Sequence, residues 1–170
     1  MEYSLLTWDG VRGLARLSRR GFPDSRRPSW RRLQESAMPK ILVIEDDADM
    51  VAALRMPLEG NGYDVVAAAT GQEGLEKVKE VKPDLIILDV MMETATAGFQ
   101  VSLELRSPAP ESEYADFRAV PILMLTAIHT TTSLRFGPDE AYLPVDDFVD
   151  KPIDPDVLLG KIERLLKKAK

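Results

Sequence analysis

Residues 41–47 read Ile41-Leu-Val-Ile-Glu-Asp-Asp47, four consecutive large apolar residues that stop abruptly at three acids. A strand with one wet face alternates apolar and polar positions. A run that is apolar at every position has both faces buried, as inside a parallel sheet. The pattern returns at Leu85-Ile-Ile-Leu-Asp89 and, closing on a hydroxyl, at Val120-Pro-Ile-Leu-Met-Leu-Thr126. Shorter runs, Tyr63-Asp-Val-Val66 and Asp147-Phe-Val149, make five predicted strands.

Helical patterns fill the intervals. Ala48 to Glu59 places Met50, Leu54 and Leu58 on one face, although Pro57 costs an internal hydrogen bond, and Gly60-Asn-Gly62 ends it. Thr70 with Glu73 three residues on is a capping box that opens a helix to about Val81. A helix over 98–106 and a Pro- and acid-rich loop over 107–118 follow the third strand. Asp154 caps a last helix with Pro155 at its first position, and Val157, Leu158, Ile162, Leu165 and Leu166 are expected to face inward. Strands alternating with helices predict an α/β fold whose doubly wound parallel sheet is covered on both faces. Right-handed crossovers then gather the loops after the strands along one edge, where open α/β sheets hold their ligands.

Composition narrows the function. The 170 residues are 45% hydrophobic and 29% charged, enough for one domain with a real core. No apolar run is long enough to cross a bilayer, so a membrane span is not expected. The absence of cysteine removes disulfides, thiol nucleophiles and thiolate metal sites, and fits a reducing, cytoplasmic setting. A single histidine, His129, excludes a multi-histidine metal site within one chain and is read as a loop residue rather than a phosphoryl carrier.

The net charge of −6 is unevenly spread. Residues 1–37 hold eight Arg against four acids, a charge of +4; the rest holds 14 basic and 24 acidic residues, a charge of −10. An acidic body opposes direct DNA binding, which needs basic surface to displace counterions. The expected organisation is an Arg-rich, disordered extension over 1–37 and a folded domain over 38–170, with translation from Met38 or a membrane- or nucleic-acid-touching arm as alternatives for the extension. No apolar core of signal-peptide length follows its charges. With the sequence ending after the last predicted helix, no output domain is expected, and action by docking or by passing phosphate along a relay follows.

The chemistry-bearing residues cluster in the pattern. Glu45, Asp46 and Asp47 follow the first strand, Asp89 ends the third, Thr126 follows the fourth and Lys151 lies just past the fifth. If the first strand lies between the second and third, these groups converge. Clustered carboxylates raise one another's pKa unless a cation sits among them, and a hard, partly hydrated Mg2+ answers that need. A metal-held carboxylate is a nucleophile toward phosphorus, and the Lys151 ammonium and Thr126 hydroxyl are donors of the right kind for phosphoryl oxygens.

Together with Ile122-Leu-Met-Leu-Thr-Ala127 and Asp147-Phe-Val-Asp-Lys-Pro-Ile153, the first and third strand motifs resemble, in order, the receiver domain of two-component response regulators. The likeness covers Lys40 to about Lys168. It implies a flavodoxin-like fold with strand order 2-1-3-4-5, and a signalling module rather than an enzyme. It implies Asp89 as phosphorylated aspartate, and Glu45, Asp46, Asp89 and the backbone carbonyl of Met91 as Mg2+ ligands. Thr126 and Lys151 would contact the phosphoryl group, Phe148 would be the aromatic that swings inward, and Ala127 would leave room for phosphate to enter. The implied partners are a sensor histidine kinase or phosphotransfer protein and a downstream protein target; a homodimer stays open. The likeness is broken at Glu93-Thr-Ala-Thr-Ala-Gly98, which lacks the usual Pro and Asp-Gly, at the long stretch 107–118, and over 128–145, where receivers place a fourth helix. The last departure predicts that a phosphorylation signal remodels a loop there.

Two other readings compete. Asp47-Ala-Asp49-Met-Val51 is similar to the signature of haloacid-dehalogenase-type phosphatases, with Asp47 as nucleophile, but this leaves Asp89 unexplained, puts the lysine after the acidic pair and finds no cap domain. A non-phosphorylated pseudo-receiver acting as a binding module is the other; the intact set of five residues argues against it.

Overall fold

The computed structural model describes residues 38–127 and 144–169. In chain order they form β1 (Lys40–Ile44), α1 (Ala48–Gly60), β2 (Asp64–Ala68), α2 (Gly71–Val81), β3 (Leu85–Asp89), α3 (Ala97–Leu105), a 3-10 turn (Ala115–Phe117), β4 (Ile122–Thr126), β5 (Asp147–Asp150) and α4 (Pro155–Lys168). The expectations for 1–37 and for most of 128–145, His129 included, lie outside the described residues.

Five strands pair in parallel in the order β2-β1-β3-β4-β5, the order the resemblance implies. Side chains alternate across the sheet with the two-residue period of a strand. Leu42, Ile44, Ile86, Leu88, Ile122 and Met124 enter one core layer with Val78 and Val101 of α2 and α3. Ile41, Val43, Leu85, Ile87, Leu123 and Leu125 enter the other, with Leu54, Leu58, Leu158 and Ile162 of α1 and α4. Burying each such side chain contributes about 1.5–3 kcal/mol, which makes the three central strands the chief source of stability.

Local signals set the helix ends. Asp47 caps α1, accepting from the Asp49 and Met50 amides at 2.9 and 3.3 Å, and Pro57 is accommodated inside the helix. Thr70 Oγ1 accepts from the Glu73 amide at 3.1 Å, whereas the Glu73 carboxylate reaches past the cap to the Ala69 amide at 2.8 Å. Lys82 closes α2 in the left-handed region, φ 50°, and Pro83 cannot continue it.

Several expectations are corrected. Val157 is 50% exposed rather than inward-facing: Leu158 takes the inward position, and successive helical residues point about 100° apart. The second strand starts at Asp64 and the fourth at Ile122, each later than its apolar run suggests. Residues 107–118 are not plain loop. Tyr114 is buried in the first core layer, and the segment is held by Arg106, which donates to the Arg118 carbonyl and at 2.7 Å to Asp146.

Candidate functional site

The strand register brings the site together. Ile44 pairs with Leu88, so Glu45 and Asp89 extend adjacent strands at the same level; Asp89 pairs with Leu125, and Thr126 with Asp150, the residue before Lys151. Backbone bonds continue past the strands, from the Glu45 amide to the Ala68 carbonyl at 3.0 Å, from Val90 to Leu125 at 3.1 Å and from Lys151 to Thr126 at 2.8 Å. The chemical groups therefore stand on stiff backbone. The Lys151–Pro152 peptide is cis.

Glu45, Asp46 and Asp89 offer carboxylate oxygens that all lie within 4.8 Å of one another. Glu45 and Asp89 are buried and Asp46 is exposed, so the cluster has a dry floor and a wet mouth. Three hard oxygen donors with room for water fit Mg2+ by the chemistry of the donor set. Lys151, expected to serve the phosphoryl group, also supplies the cation that the clustered acids require. Its Nζ lies 2.9 Å from Glu45 Oε2 and 3.1 Å from Asp89 Oδ1.

The electrostatics follow from burial and that ammonium. Burial pushes the Glu45 carboxyl up; the Lys151 hydrogen bond pulls back and the Asp89 charge pushes further, leaving it above the usual carboxylate range. Asp89 is likewise raised by burial, against Lys151 and the Val90 and Met91 amides, which favour its ionised form. Burial disfavours the Lys151 charge, but the hydrogen bonds to Glu45 and Asp89 outweigh it and hold its pKa above the ordinary value.

The remaining expected residues fall as follows. Thr126 is buried at the end of β4. The Met91 side chain is 50% exposed, and its backbone amide is one of the groups that favour ionised Asp89. Phe148 is partly buried against the first core layer. Asp47 is not drawn into the carboxylate cluster: it is exposed, spent on the α1 cap. Sequence reasoning missed one group, Glu93, whose carboxylate accepts from the Gly71 amide at 2.8 Å. The signal was that the helix opening at Thr70 and the loop after Asp89 share one sheet edge.

Buried acids, a hydroxyl and a lysine thus stand at successive strand ends along one edge of a doubly wound parallel sheet. Residues 41–163 match the model of the response regulator receiver domain, and the chain belongs to that family, the receivers of two-component phosphorelay signalling. It is 35% identical over 130 residues, 76% of this chain and 49% of the relative, to the alkaline phosphatase synthesis transcriptional regulatory protein PhoP of Bacillus subtilis. It is 32% identical over 129 residues, 76% of this chain and 51% of the relative, to the DNA-binding response regulator MtrA of Mycobacterium tuberculosis. Among solved structures it is similar to the chemotaxis response regulator CheY4 of Vibrio cholerae, with TM-score 0.59 and 29% identity over 75% of this chain and 98% of that one. The chain spans about half the length of the curated relatives it matches. Among the described residues no helix is long and apolar enough to cross a membrane.

Proposed function

We propose that this receiver is phosphorylated on Asp89 by a histidine kinase or phosphotransfer protein in the cytoplasm, and that it signals by docking to a downstream protein. The observation that carries the reading is the ammonium of Lys151 held between Glu45 and Asp89, beside the exposed carboxylate of Asp46. In the reaction an Asp89 carboxylate oxygen attacks the phosphorus of a phosphohistidine or acyl phosphate. The new O–P bond forms as the bond to the donor breaks, and the leaving group keeps the electron pair. Lys151 and the Thr126 hydroxyl then donate to the phosphoryl oxygens. Glu45, Asp46, Asp89 and the Met91 carbonyl are the groups that would hold Mg2+, whose charge, when bound, offsets that of the carboxylates and the incoming phosphoryl group.

Direct binding of a nucleic acid by this domain is disfavoured by the −10 charge outside residues 1–37. The longer relatives carry the words transcriptional and DNA-binding in their names; for this domain we assign the output to protein contact.

Incubation with Mg2+ and acetyl phosphate, read by intact mass, tests the assignment. The protein gains one phosphoryl mass, Asp89→Asn abolishes the gain, and Asp47→Asn keeps it. No gain in the native chain replaces this reading with the binding module, and a gain that survives Asp89→Asn but not Asp47→Asn replaces it with the phosphatase-like one.

A further inference from the structure

The loop that leaves Asp89 is tied to the sheet by Val90 N–H to the Leu125 carbonyl and closed on itself by Gly98 N–H to the Val90 carbonyl, each at 3.1 Å. Between these points the Thr94 carbonyl accepts from the Met92 and Ala97 amides at 3.3 Å. Glu93 stands on this turn, and its Oε1 crosses to the amide of Gly71, the first residue of α2. That amide has no partner within its own helix, and a carboxylate there also meets the positive end of the helix dipole.

The anchor is rigid. Glu73 and Thr70 close the turn between β2 and α2 through the bonds already described, and the Ala68 carbonyl accepts from the Glu45 amide. A Cβ on Gly71 would stand 2.8 Å from Val101 Cγ2 of α3, so the helix start is also packed tightly against the next helix. A closed circuit results: Glu45 is bonded to Ala68, Ala68 leads to Gly71, Gly71 is bonded to Glu93, and Glu93 lies two residues from Met91 and four from Asp89.

We propose that Glu93 is a positioning residue that fixes the Met91 backbone, and with it the cation site, relative to Glu45. This rests on the Mg2+ site of the proposed function. Glu93 touches neither the cation nor the phosphoryl group; it acts through the loop.

The test compares native protein, Glu93→Ala and Glu93→Gln by Mg2+ titration and by amide hydrogen exchange without metal, both read by NMR. Outer partners of metal ligands change affinity by tenfold or more; for an open, hydrated site the expected rise in the Mg2+ dissociation constant of Glu93→Ala is about threefold to tenfold. Glu93→Gln, which keeps an acceptor for Gly71, restores most of it. Without metal, the amides of Gly71, Met91 and Met92 exchange faster in Glu93→Ala only, while those of the central strands do not change. If the native protein shows no Mg2+ response but these amides still change, the cation site is wrong and the tether stands. Native affinity in Glu93→Ala, or unchanged exchange at Met91 and Met92, overturns the positioning role, as does a Glu93→Gln variant that behaves like Glu93→Ala.

Discussion

Replacing Lys151 by methionine keeps an apolar stem of similar length and deletes the charge together with its hydrogen bonds to Glu45 and Asp89. The side chains it abandons are 1% and 7% exposed, for Glu45 and Asp89. At about 3 Å and an effective dielectric of about 20, each lost contact is worth roughly 5 kcal/mol of gross attraction. Desolvation of the three groups offsets much of this in the native protein, so the useful figure is the cost of leaving buried carboxylates unpaired, about 3–5 kcal/mol. Lys151 is itself 21% exposed, so water partly replaces it and the lower end, about 3 kcal/mol, is expected. The sign with pH is fixed. Both carboxyls are already raised, and without the ammonium they rise further. The folded state then holds more protons than the unfolded one above about pH 4, and stability falls as pH rises through that window. Urea unfolding therefore shows a deficit of about 3 kcal/mol near pH 7.5 that shrinks below about 1 kcal/mol near pH 4.5. Adding Glu45→Gln to Lys151→Met recovers at least about 1 kcal/mol at the higher pH, because one orphaned charge is gone. A deficit equal at the two pH values, or no recovery in the double variant, refutes the argument.

Backbone proximity gives a second expectation. A Cβ on Gly98 would lie 2.0 Å from the Asp89 carbonyl oxygen, an atom that cannot step aside, so Gly98→Ala costs about 3 kcal/mol or more in urea unfolding. In Gly74→Ala the obstacle is the buried, β-branched Ile44 side chain, with Cδ1 at 2.5 Å, Cγ1 at 2.9 Å and Cγ2 at 3.0 Å. Side-chain rather than backbone atoms must shift, the cost is about 1–3 kcal/mol, and a cost above that of Gly98→Ala would contradict this account. For Asp147, burial pushes its carboxyl up, but Lys161, the Phe148 amide and Arg164 together outweigh it and hold it below the usual range. Asp147→Asn thus loses about 1 kcal/mol at neutral pH, Arg164 being 67% exposed and adding little. That difference fades as pH falls from about 4 toward the depressed titration of the native carboxyl, and a difference unchanged near pH 2 in urea unfolding would contradict it.

Much of the fold was legible because a strand buried on both faces has no latitude: Ile41 to Ile44 and Leu85 to Leu88 are apolar at every position, and the chemistry begins where each run ends. The members of the carboxylate cluster were legible for the same reason, since parallel strands of one sheet finish on one edge. Tyr114 was not. Its burial depends on Arg106 and Arg118 folding an aperiodic segment back on itself, and no local pattern encodes that. Val157 misled because a helical stripe read from sequence is wider than the face a helix buries. Glu93 was not read as a tether because its partner, the Gly71 amide, is 22 residues away and belongs to the backbone; only the sheet edge shared by the two segments pointed to it.

The stretch 106–121 enters β4 at its amino end, whereas Asp89, Thr126 and Lys151 stand at the carboxyl ends of their strands. Five residues of strand separate the two rims, about 17 Å. Arg106 on Asp146 and the Lys79–Glu113 pair, 2.8 Å apart, fasten the segment, while Tyr114 reaches into the cavity between α2 and α3 that Gly71 and Glu93 also line. The exposed tip of the segment, at Pro110 and Glu111, therefore stands away from the carboxylate cluster. A grafted epitope or a fluorophore at either residue labels the receiver on the rim opposite that cluster.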